Sequence, residues 1–179
     1  MQNPIRDLVI AKLDEGMPGV SQRIGQRLAE ATAFCFECQK HQPGVELIVE
    51  GLAATSFKVH WENQITKQIM NSWDDHQEAT EAGATGLAFL LILNLTEFTI
   101  IRRARKGTGF DYWLGFKDAE LPFQDAARLE ISGILKGDAH EMRSRVRKKL
   151  KQTQPTDGVL PAYIVVVEFG SPKSYIEAK

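Results

Sequence analysis

Ala162-Tyr-Ile-Val-Val-Val-Glu-Phe169 is a run of β-forming residues with no polar alternation until Glu168. A strand of that kind has no face to give to water, so it belongs inside a sheet covered on both sides. Layers on both faces require helices, and helical spacing recurs elsewhere in the chain. With 179 residues, 43% of them hydrophobic, the chain can bury such a core without disulfide or metal staples. The expected class is α/β, a mixed central sheet flanked by helices.

The order of elements can be read along the chain. Ser21 caps a helix running to Gln39, with Ile24, Leu28, Ala31 and Cys35 at helical spacing, and His41-Gln-Pro-Gly44 stops it. Residues 46–51 and 56–61 read as paired strands, because Phe57, Val59 and Trp61 alternate with Ser56, Lys58 and His60. A helical region covers 64–94, interrupted near Asn71-Ser-Trp-Asp74, and its second half is rich in small residues that let it lie close against a sheet. Strands follow over 98–104, 110–116 and 127–134. A helix over 139–152 then carries an apolar stripe of Met142, Val146 and Leu150, and Pro155–Gly158 turns the chain into the final run. No repeat or linker divides the chain. It reads as one domain, with a core over 76–170 and an N-terminal helix and hairpin extension over 1–75.

Charge is unevenly spread. Residues 1–100 hold 7 Lys and Arg against 13 Asp and Glu, whereas residues 101–179 hold 15 against 10. Most of the basic excess lies in Arg102–Lys106 and Arg143–Lys151, which suit a phosphate-facing surface or, equally, a solvated helix face. The longest apolar run, Leu87 to Leu93, is far short of the roughly 20 residues of a membrane span. The first residues lack the pattern of a signal peptide, and two cysteines fit a reducing compartment, so a cytoplasmic location without membrane partners is expected.

Two carboxylates stand out. Asp111 lies in Gly107-Thr-Gly-Phe-Asp-Tyr-Trp-Leu-Gly115 and Glu130 in Ala126-Ala-Arg-Leu-Glu-Ile-Ser-Gly133, each among bulky apolar neighbours. Burying an ionised carboxylate costs several kcal/mol unless a cation or a donor compensates it. Parity puts Asp111 and Trp113 on one face of the second strand, and Arg128, Glu130 and Ser132 on one face of the third. The two acids can therefore converge. Magnesium or manganese needs only one or two carboxylates beside water and phosphate oxygens, which points to phosphodiester hydrolysis.

Helix, three strands, helix, strand, with Asp on the second strand and Glu on the third, resembles the PD-(D/E)xK nuclease superfamily. The resemblance implies a restriction-endonuclease-like core and a magnesium-dependent nuclease. It implies that Asp111 and Glu130 bind metal with help from Glu81 or Glu78 on the preceding helix, and that nucleic acid is the partner. Ser132 stands where the family has a lysine that orients water, so Arg128 or Lys106 is the expected substitute. Arg143, Arg145, Arg147 and Lys148, with Lys106, are the expected phosphate contacts.

Other readings stay open. Without that lysine the chain can be a non-catalytic member of the fold, binding nucleic acid or a protein through residues 1–75, or a module with no nucleic-acid role. Asp111 and Glu130 can be plain strand carboxylates, Glu130 paired with Arg143 or Arg145. Glu78 and Glu81 suit the first turn of any helix. Cys35-Phe-Glu-Cys38 lies late in a helix and reads as core, and His41, His60, His76 and His140 lack ligand spacing. The oligomeric state is open, a homodimer included.

Overall fold

The computed structural model of the chain describes residues 5–62, 64–118, 120, 123–156 and 158–179. Residues 1–4, where an export signal would start, and Asp157 of the expected turn lie outside the described residues. The strands are β1 (Arg6–Val9), β2 (Val45–Gly51), β3 (Thr55–His60), β4 (Phe98–Arg103), β5 (Tyr112–Phe116), β6 (Ala127–Ile134), β7 (Ala162–Glu168) and β8 (Lys173–Ala178). The helices are α1 (Gln22–Cys38), α2 (Lys67–Ser72), α3 (His76–Leu95) and α4 (Ala139–Thr153). All of these strands join one sheet in the order β1-β3-β2-β8-β7-β6-β5-β4. It is a mixed sheet flanked by helices, as the apolar run of β7 requires.

β7 is covered on both faces. Val165 and Val167 join the large core with Leu129 and Ile131 of β6 and the buried faces of α1 and α3. Ala162, Ile164 and Val166 pack instead with Ile134, Met142 and Val146, which places α4 on the other face. β4, β5 and β6 are antiparallel neighbours, and β7 runs parallel to β6 after the α4 crossover.

The hairpin of segment 1–75 continues the sheet of the core, because β2 pairs with β8, and β8 with β7. The small residues of α3 serve two neighbours rather than the sheet alone. A Cβ on Gly83 would meet Cys35 Sγ at 2.9 Å, and one on Gly133 of β6 would meet Thr80 O at 2.7 Å. α3 is thus held close to α1 on one side and to β6 on another. Cys35 sits in that seam, its thiol donating to Ala79 O at 3.3 Å, and burial pushes its pKa up; this supports the reading of the cysteine pair as core.

Candidate active site

The register of β5 and β6 decides whether the two acids meet. Tyr112 pairs with Leu129 and Trp113 with Arg128, so Asp111 falls opposite Glu130, and cross-strand partners share a face. Asp111 lies one residue before β5. Its N–H donates to Leu129 O at 2.9 Å, its C=O accepts from Ala104 N at 2.8 Å, and its carboxylate Oδ2 accepts from Ile131 N at 2.9 Å. The expected strand from Phe110 therefore starts two residues later. Beyond Glu130, β6 has no β5 partner, and its free edge at residues 131–134 lies in a cleft of about 1130 Å³.

Glu130 is 1% exposed. Its Oε1 accepts from Lys149 Nζ and, at 2.9 Å, from Gln152 Nε2. Its Oε2 is buried without a hydrogen-bond partner. Burial, and then repulsion by the neighbouring Asp111 carboxylate, raise the Glu130 pKa to about 7, against the opposing pull of Lys149. Two adjacent carboxylates, one of them buried with an oxygen that no donor meets, are a donor set that a hard divalent cation would fit.

Local structure explains how Lys149 and Gln152 arrive. Met142, Val146 and Thr153 are buried, which turns the neighbouring row Glu141, Arg145, Lys148, Lys149 and Gln152 toward the cleft. The loop between β4 and β5 touches the end of this helix at Gly109, which has φ 84°. A Cβ there would lie 2.9 Å from Gln152 O, so only glycine suits both the angle and the contact.

The other expected site residues are distributed as follows. Ser132 is buried, and its hydroxyl accepts from Arg145 Nη1 at 3.2 Å. Arg128, expected as a substitute cation, is 2% exposed and is turned to another task. Its guanidinium donates to Leu160 O at 2.7 Å and to Thr153 O at 3.3 Å, fastening the end of α4 to the β7 approach. Lys106 is exposed and does not line the cleft. Glu78 lines it but pairs with Arg27 at 2.5 Å, and Glu81 lines it while accepting from Gln77. Among the described residues, no group of three His, Cys, Asp or Glu side chains converges on one point, so neither glutamate completes a three-acid cluster. Arg145 and Lys148 line the cleft, whereas Arg143 and Arg147 are exposed outside it. His76 lines the cleft, edge-on to Phe34.

Compared with known protein families, with curated proteins and with solved structures, the chain matches none. The site therefore stands on its own geometry.

Lys149 is the residue that sequence reasoning missed. The cation next to Glu130 was expected from Arg143 or Arg145, one or two turns earlier on the same helix. The available signal was spacing: position 149 falls midway between Val146 and Thr153 on the buried side of a basic run, where a lysine has to reach inward.

Proposed function

We propose that the protein is a divalent-metal-dependent phosphodiester hydrolase acting on nucleic acid, with a restriction-endonuclease-like core over residues 76–170. The observation that carries this reading is the Asp111–Glu130–Lys149 cluster, two adjacent carboxylates with a lysine on the more buried one. The order of α3, β4, β5, β6, α4 and β7 supports it, being the order on which the PD-(D/E)xK resemblance rests.

Asp111 and Glu130 are the residues that would hold magnesium or manganese, Glu130 through its unpartnered Oε2. When bound, such a cation lowers the pKa of water and neutralises charge on phosphate oxygens. Two carboxylates suffice for a hard cation that keeps several waters and takes phosphate oxygens from its substrate. Lys149 reaches the pair from α4 and takes the place of the lysine that Ser132 replaces. Its ammonium holds the Glu130 carboxylate in position and puts a positive charge where a water would be oriented. Gln152 fixes the same oxygen from the next turn.

The experiment is cleavage of labelled single- and double-stranded DNA and RNA with manganese. The expected result is cleavage that chelator stops and that Asp111→Asn and Lys149→Met each reduce by at least about a hundredfold. Absence of cleavage with salt-sensitive binding of the same nucleic acids would favour the non-catalytic reading, which the engagement of Glu130 Oε1 by Lys149 and Gln152 also suits.

A further inference from the structure

We propose that Arg103 and Arg145 form two phosphate subsites on opposite faces of the sheet, so that the bond brought to Asp111 and Glu130 is an internal phosphodiester of a polynucleotide strand. The inference about the bond rests on the hydrolase reading above; the two subsites stand on their own contacts. Arg103 ends β4 and pairs with Tyr112, which pairs with Leu129. Parity puts these three on the α3 face of the sheet, away from Asp111 and Glu130. Arg145 comes from α4 on the other face. Both arginines line the one cleft that also contains Asp111.

Each guanidinium is held by a hydroxyl from the strands that carry the acids. Arg103 Nη1 donates to Oη of Tyr112, the residue after Asp111, at 2.7 Å, and its guanidinium carbon lies 5.1 Å from the centroid of that ring. Arg145 Nη1 donates to Ser132 Oγ at 3.2 Å, two residues from Glu130. A hydroxyl fixes a guanidinium without neutralising it and uses one of its five N–H groups. The charged neighbour of Arg145, Glu141 at 3.7 Å, is itself 44% exposed and holds it weakly. The remaining donors are thus oriented in advance, which suits an arginine to phosphate.

An anionic strand approaching two carboxylates is repelled unless cations offset them. Cations on one side alone would suit a strand that ends at the site. Here they stand on both faces of the sheet, the arrangement that a strand continuing past the acids in each direction would need.

The test compares closed circular and linear forms of the same single-stranded DNA and RNA, incubated with manganese. The expected result is cutting of a circle at a rate within about threefold of its linear form. In parallel, anisotropy of a labelled single-stranded oligonucleotide in chelator reads the subsites without chemistry. Arg103→Ala and Arg145→Ala should each weaken binding about tenfold and flatten the salt dependence by about 0.7 in log–log slope. Arg103→Lys, which keeps the charge but not the planar fork, should fall between. Circles that survive while linear forms are degraded overturn the internal-bond inference and leave the hydrolase reading intact. Absence of cutting in every form overturns the hydrolase reading and the internal bond together. Wild-type affinity in either alanine variant overturns the subsites.

Discussion

The Asp111 carboxylate accepts the backbone N–H of Ile131 at 2.9 Å, so a side chain takes over where β5 stops supplying backbone partners to β6. One residue thereby closes the ladder and presents a charge to the cleft. The two tasks separate by substitution. Asp111→Asn keeps an acceptor for Ile131 and should fold with stability within about 1 kcal/mol of wild type, whereas Asp111→Ala leaves that N–H unpaired and should cost about 1–3 kcal/mol. Both should lose manganese binding, read by paramagnetic resonance of the free ion, beside urea melts of each variant.

Glu130 gives the metal-free protein a pH dependence of defined sign. Its folded pKa of about 7 lies above the ordinary value of 4.5, so between these values the folded state binds the extra proton. The contribution of Glu130 to stability therefore falls as pH rises from 4.5 to 7, by at most about 1.4 kcal/mol per unit. The difference in unfolding free energy between wild type and Glu130→Gln, measured across pH 4.5 to 8, should carry that slope. A flat difference would mean that Glu130 titrates normally.

Lys149→Met removes the cation next to a carboxylate that is 1% exposed. Without the ammonium the Glu130 pKa rises further, so at pH 8 the buried acid takes up a proton and the expected cost is about 1–2 kcal/mol. At pH 5 Glu130 is protonated and much of the loss should disappear. Adding Glu130→Gln at pH 8 should restore stability, so that the double variant is more stable than Lys149→Met alone. Urea denaturation at the two pH values measures all three.

Gly133→Ala tests the seam between β6 and α3. The new methyl would lie 2.7 Å from Thr80 O and 2.8 Å from the Ala84 Cβ, and both belong to a packed helix that cannot yield cheaply. The expected loss is about 1–3 kcal/mol in a thermal melt. Because Thr80 also lines the cleft, displacement of α3 should weaken oligonucleotide binding as well.

Patterns local to one element survived from sequence to structure. The Ser21 cap accepts from Ile24 N, β2 and β3 pair, α3 follows the break near Trp73, and the apolar run of β7 is buried on both faces. The parity of Asp111 and Glu130 was legible for the same reason, since alternation depends only on the strand. What depended on distant partners was not. β8 is short and half polar, and only its position between β2 and β7 makes it a strand. Arg128 shares a strand face with Glu130 but is drawn off by Leu160 O and Thr153 O, carbonyls more than twenty residues away. The spacing of α4 turns Lys149 inward, but which acid it meets depends on where the helix end packs, and there Gly109 of the β4–β5 loop lies close against Gln152 O.

The pairing of β2 with β8 also sets a schedule for synthesis. Ile48 lies opposite Lys173, about 125 residues later. At ribosomal rates β2 is made between roughly 6 and 25 s before its neighbour. During that interval β2 presents exposed Ile48 and an unpaired backbone edge on the nascent chain, the kind of surface that recruits chaperones or a neighbouring polypeptide. Emergence of β8, rather than of the helices, is the step that commits both halves of the sheet to a shared fate.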